Sequence, residues 1–176
     1  LYMRDWMGHE SKADPRWTHE YNPRLAKQLL TIAGYQDGFE ITLTPAIRGA
    51  PGEVEACEAV AQYWEEIGIS VDFQHVPYST IRPSLITRQY QGSTCHTVGA
   101  RMTPIIGASN YVKNSTFSYG TEHPWMEEHI SAAVRQVDQV KLAAQTVEVY
   151  DWMYDNVMAF GLYTHDGLWP IGPKLD

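Results

Sequence analysis

The sequence is short of basic side chains, nearly without cysteine and devoid of any long apolar run. Each shortage removes a class of function. Lysine and arginine together number 13 against 21 aspartates and glutamates, for a net charge of -8. A duplex-binding surface needs a basic excess to displace counterions from phosphate, so nucleic acid is excluded as the expected partner. No apolar stretch approaches the roughly 18 to 20 residues that a membrane-spanning helix requires, and the mean hydropathy of -0.35 agrees. Two cysteines, Cys57 and Cys95, cannot build a disulfide framework or a four-cysteine metal site. At most one bridge is possible. Cys57 lies on the apolar side of an expected helix and Cys95 in an expected strand, so two buried thiols are the reading.

What remains is ample for a core. With 176 residues, 44% hydrophobic and 12% aromatic, the chain fits one ordinary globular domain and falls outside the disordered class. Residues 1–20 mix Trp6, Trp17, acids and a proline without a period and read as an irregular lead-in. Residues 21–176 read as a single α/β unit. The chain starts Leu1-Tyr2-Met3-Arg4-Asp5, with no basic n-region and no apolar h-region, and is read as an excised piece of a longer parent.

Asn22-Pro23 is a helix start, because Asn caps with its side-chain oxygen and Pro is pre-set for the first helical position. A helix over 24–33 and a stop at Gly34 follow. Alternation over Phe39 to Thr44 predicts a half-buried strand. Pro51-Gly52 opens a second helix over 53–67, with Val54, Cys57, Val60, Ala61 and Trp64 inward and Glu53, Glu55, Glu58, Glu65 and Glu66 facing water. Residues 69–74 alternate again, and the intervening helix is the length of a right-handed βαβ crossover, so the two strands are parallel. A short helix over 80–89 is interrupted by Pro83, a third strand lies within 92–100, and 101–123 reads as long loops. Two helices follow from Pro124, then a short strand over 159–163 and an irregular tail.

Seven histidines invite a metal, but His123 and His129, six apart, face different sides of a helix, and Glu128-His129 lacks a second histidine at zinc spacing. His75 and His96 read as hydrogen-bonded structural residues. No GxSxG elbow and no phosphate-binding glycine pattern occurs. The helix start at 49–52 is a weak anion site, since Pro51 removes a donor. Nothing orders Ser, His and Asp into a triad. No enzyme activity, metal or cofactor is expected. Trp152, Tyr154, Phe160, Tyr163 and Trp169 read as core.

The exceptions among the aromatics are those at strand ends. Open α/β sheets bind ligands outside the carboxyl ends of parallel strands. Tyr78 follows the strand 69–74, and Arg101, Met102 and Thr103 follow the strand 92–100. These four are the candidate ligand-binding residues.

The order of elements, with Tyr21-Asn22-Pro23-Arg24-Leu25-Ala26-Lys27-Gln28-Leu29-Leu30 and then Ala33-Gly34-Tyr35-Gln36-Asp37-Gly38-Phe39-Glu40-Ile41, resembles the signature stretch of the family 5 extracellular solute-binding proteins. These are the dipeptide, oligopeptide and nickel-type receptors of ABC importers. The likeness continues through Val60 to Val71, where a helix ends in Ile67-Gly68-Ile69, and through Val76-Pro77-Tyr78, and it covers about residues 20–175. It implies a periplasmic binding protein-like (type II) lobe, a mixed sheet flanked by helices, and specifically the C-terminal lobe of a two-lobe protein. It further implies a small-molecule or peptide-like ligand captured by hinge closure, an N-terminal lobe in the parent chain, ABC permease subunits as partners, and a periplasmic or extracellular location, with any membrane anchor in the parent.

The resemblance also marks a departure. The peptide-binding branch carries an aspartate for the peptide amine in the loop after the strand matching 92–100, whereas Gly99-Ala100-Arg101-Met102-Thr103-Pro104-Ile105-Ile106 holds no acid. A buried ammonium without a carboxylate is costly, and Arg101 points instead to an anionic or polar group. The competing expectations are a ligand-sensing module of a multidomain regulator with the same fold and, further off, a small hydrolase.

Overall fold

The structure, a computed structural model, describes residue 17 and residues 19–97, 104–112, 115, 122–159 and 161–162. Helix α1 (Pro23–Ile32) starts as its capping chemistry dictates: Asn22 Oδ1 accepts the Leu25 N–H at 2.9 Å. It ends where Gly34 turns left-handed, with φ +87°. Strand β1 (Glu40–Ala46) runs two residues beyond the alternating stretch. Before it, Gly38 has φ +75°, and a Cβ there would strike the Gly68 carbonyl oxygen. That close approach lets Phe39 O accept the Ser70 N–H at 2.8 Å, which sets the register of the next strand.

Helix α2 (Glu53–Glu66), strand β2 (Ser70–Phe73), helix α3 (Tyr78–Thr87) and strand β3 (Ser93–His96) follow in order. The three strands pair in the order β2-β1-β3, all parallel. Helix α3 begins earlier than expected and passes through Pro83 without interruption. Strand β3 occupies only four residues of the stretch 92–100, of which 98–100 lie outside the described residues.

Paired residues in neighbouring parallel strands share a face. Pro45 and Cys95 are such a pair, as are Ala46 and His96. Cys95 is bonded to Cys57 of α2, while Ala46 packs with Ile81 and Leu85 of α3. The two crossover helices therefore cover opposite faces, as right-handed connections to either side of β1 require. The expectation of two free thiols is corrected here. Their helix and strand are neighbours in space, with Cα atoms 5.9 Å apart, and they form a disulfide.

The stretch expected to be loops contains a short helix, α4 (Pro104–Ala108), and a 3-10 turn over Ser109–Tyr111. Burial decides this: Ile105 and Ala108, three apart, enter a core with Met126, Ile130 and Ala133 of α5 (Pro124–Val134) and Val149, Tyr150 and Met153 of α6 (Gln139–Asp155). Each such large apolar side chain contributes roughly 1.5–3 kcal/mol by leaving water. Trp17, within the irregular lead-in, is buried in the same core and donates its indole N–H to Asp151 at 2.8 Å. Trp152 and Tyr154 pack against it half-buried, whereas Phe160, Tyr163 and Trp169 lie outside the described residues. Of the expected strand 159–163, Ala159, Gly161 and Leu162 are not strand, and 160 and 163 lie outside the described residues. Arg88, at the end of α3, ties that helix to the segment before α5 by donating to Glu122 at 2.6 Å and to Ser115 O at 2.9 Å.

Candidate functional site

Strands β1, β2 and β3 end side by side at Ala46, Phe73 and His96. The chain leaves β1 toward β2 on one side, while β3 lies on the other, so a crevice opens between the loops that leave β1 and β3. This is the place where an open parallel sheet accepts a ligand.

Glu53 spans that crevice. It is the first residue of α2 and is 6% exposed. One carboxylate oxygen accepts the backbone N–H groups of Arg48, Gly49 and Ala50 at 2.7, 2.7 and 3.0 Å. The other accepts the hydroxyl of Thr97, just beyond β3. Burial alone would push this carboxyl up, but the Thr97 hydroxyl and the three amides outweigh it and hold the pKa below the usual carboxylate value. The sequence pattern had grouped Glu53 with acids facing water. The correction is local: four donors in the crevice pull the side chain inward. Two of the amides in the weak anion site at 49–52, those of Gly49 and Ala50, are already bound to this internal anion.

Arg48 rises from the loop after β1. Its guanidinium donates to the Tyr78 hydroxyl at 3.0 Å, with Cζ 4.9 Å from the Tyr78 ring centroid. Pro77, whose ψ of 148° keeps the chain extended, delivers Tyr78 to the start of α3. A guanidinium fork set beside an aromatic ring matches carboxylate and phosphate geometry. Beneath it, His96 is pushed down to about 4 by burial and then by the Arg48 charge, against an upward pull from Glu53, so it is neutral at pH 7. An apolar groove of about 240 Å³ adjoins the site, lined among others by Ile47, Val54, Phe73, Val76 and Pro77. A larger depression, about 320 Å³, lies at the opposite end of the sheet between α1 and the end of α2. It is far from the strand carboxyl ends and gathers no such converging groups.

Of the expected ligand-binding residues, Tyr78 stands in the crevice. Arg101, Met102 and Thr103 lie outside the described residues. Arg48, Glu53, His96 and Thr97 were missed, although the strand-end rule that selects Tyr78 selects Arg48 equally once β1 is extended to Ala46. His123 caps α5 by accepting the Trp125 N–H at 3.2 Å, and His129 stacks on Trp125 with centroids 3.8 Å apart. Among the described residues no group of three or more His, Cys, Asp or Glu side chains could hold a metal, and no helix is long and apolar enough to cross a membrane.

Residues 3–123 match the family described as bacterial extracellular solute-binding proteins, family 5 Middle. A search of curated proteins finds no match. Among solved structures, a dipeptide-binding protein of Pseudoalteromonas sp. SM9913 in complex with Met-Leu is similar at 16% identity and TM-score 0.68, covering 82% of this chain and 32% of its own. NikA from Staphylococcus aureus, in complex with Ni(L-His)2, is similar at 18% identity and TM-score 0.62, covering 81% and 32%. An oligopeptide-binding protein of Thermotoga maritima with bound mannohexaose gives 19% and 0.63, covering 80% and 30%. The chain spans about a third of the length of these structures. At such identities the likeness establishes the α/β, periplasmic binding protein-like fold.

Proposed function

We propose that this chain, which belongs to the family 5 bacterial extracellular solute-binding proteins, forms one wall of a hinged cleft in the substrate-binding component of an ABC importer. Residues 21–176 act as the C-terminal lobe, and an N-terminal lobe of the parent chain supplies the facing wall. Closure buries a small polar solute between the lobes and presents the closed form to the permease subunits. The observation that carries this reading is the crevice at the strand carboxyl ends, where Arg48, on a loop anchored by Glu53, meets Tyr78 at the start of α3. The related structures hold a dipeptide, a nickel-histidine complex and an oligosaccharide. Arg48 selects the ligands with a carboxylate or similar anionic group, and Arg101, Met102 and Thr103, which follow β3 in sequence, add further ligand contacts.

The chemistry is that of binding. A carboxylate satisfied by four donors and held below its usual pKa is a poor base, so Glu53 does not activate the Thr97 hydroxyl as a nucleophile. The Cys57–Cys95 disulfide supports a periplasmic or extracellular location, because such bonds persist in oxidising compartments. The test is a thermal-shift panel on the two-lobed parent protein, with peptides, amino acids, sugar acids and neutral sugars. Carboxylate-bearing solutes are expected to raise the melting temperature, and an Arg48→Ala parent is expected to lose the shift. Stabilisation by neutral sugars alone, undiminished in that variant, would overturn the assignment.

A further inference from the structure

Glu53 and Cys57 lie one turn apart on α2, and their partners Thr97 and Cys95 lie two residues apart at the end of β3. The same helix end is thus fastened to the same strand end twice, once by a covalent bond and once by a carboxylate. The disulfide fixes the helix to the sheet. The carboxylate does something further, since it also gathers the three consecutive amides of the loop that carries Arg48.

We infer that Glu53 is the positioning residue of the crevice: one carboxylate holds the Arg48 loop and the segment leaving β3 at a fixed separation, so that the guanidinium is set in place before a ligand arrives. The inference rests on the reading of the crevice as a ligand wall. Its physical content is preorganisation, in which binding no longer has to order the loop. The geometry also limits how an anion is recognised. The amides of residues 48–50 already serve an internal carboxylate, so a ligand's anionic group is met by the Arg48 side chain and not by those loop amides.

Two substitutions separate positioning from general support. In Glu53→Gln the amide oxygen accepts the three N–H groups while the amide nitrogen donates to Thr97, so the geometry survives without the charge. In Glu53→Ala both sides are released. Measured by NMR on the oxidised 176-residue chain, Glu53→Ala is expected to speed hydrogen exchange at Arg48, Gly49 and Ala50 by about tenfold. It is also expected to broaden the Arg48 Nε–Hε signal, with the amides of α5 and α6 unmoved and with Glu53→Gln close to the parent. Thr97→Val, which removes only the hydroxyl, produces the same change in smaller measure and remains available should Glu53→Ala not fold.

Unchanged protection at residues 48–50 in both Glu53→Ala and Thr97→Val would overturn the inference. So would a loosening spread evenly through the whole chain, or a Glu53→Gln chain as loose as Glu53→Ala. Titration with acetate tests the ligand wall separately. The Arg48 Nε–Hε signal is expected to shift in the unsubstituted 176-residue chain, and its failure to move would overturn the anion-binding reading while the exchange data still judge Glu53.

Discussion

Cys57 and Cys95, 38 residues apart in sequence, are joined as a disulfide that ties α2 to β3 beside the crevice at the strand ends. Closing a loop of that length removes chain entropy from the unfolded state worth about 4 kcal/mol on the loop-entropy relation. For a chain of this size that corresponds to about 10 °C in melting temperature. Melting the oxidised chain beside a Cys57→Ser, Cys95→Ser variant is expected to show such a drop. Equal melting temperatures, with the bond verified by mass spectrometry in the parent, would remove the disulfide from the account of stability.

His96 makes folding sensitive to acid. Its folded pKa, about 4, is lowered from the ordinary 6.5, so the folded state favours the neutral ring. The stabilisation from this group is complete above pH 6.5, declines as pH falls, and is lost on passing through about 4. The shift is worth about 3 kcal/mol. Denaturant unfolding at pH 7, 5.5 and 4 is expected to show that loss, and His96→Leu is expected to flatten it. A ring that titrates near 6.5 in the NMR spectrum of the native chain would contradict the burial argument.

Arg48 is expected to dominate affinity for an anionic solute. Removing a charged hydrogen-bonding group from a binding site costs about 1.5–3 kcal/mol, or roughly 10- to 150-fold in Kd. Calorimetry on the parent receptor, with a ligand found by the thermal-shift panel, is expected to show that loss for Arg48→Ala and a smaller one for Tyr78→Phe, which keeps the ring beneath the guanidinium. Arg101→Ala is expected to weaken binding as well. Unchanged Kd in that variant would strike Arg101 from the proposed contacts.

A single wall binds poorly. The proposed two-lobed cleft predicts that the 176-residue chain binds any such solute at least a hundredfold more weakly than a two-lobed parent, in which closure adds an opposing surface and excludes water. Submicromolar binding by both proteins to the same solute would contradict the two-lobed cleft.

The elements governed by local chemistry were legible in the residues. Asn22-Pro23 fixed the start of α1, Gly34 its end, and alternation located β1 and β2 to within about two residues. The stretch around Tyr21 to Ile41 carried the family resemblance, and the strand-end rule picked out Tyr78, which lies beside Arg48. The missed features arise from neighbours far apart in sequence. Nothing local marks α4, which forms because α5 and α6 offer Ile105 and Ala108 a core to enter.

The sequence by itself thus determined the α/β class, the parallel pairing of the first two strands and the family. Only the tertiary structure decided that Cys57 and Cys95 are bonded and that Glu53 turns inward from an acidic helix. It alone placed Arg48 against Tyr78. The physical reason is common to all three: each depends on a partner 30 to 44 residues away, brought within bonding distance only when both crossover helices dock on the sheet.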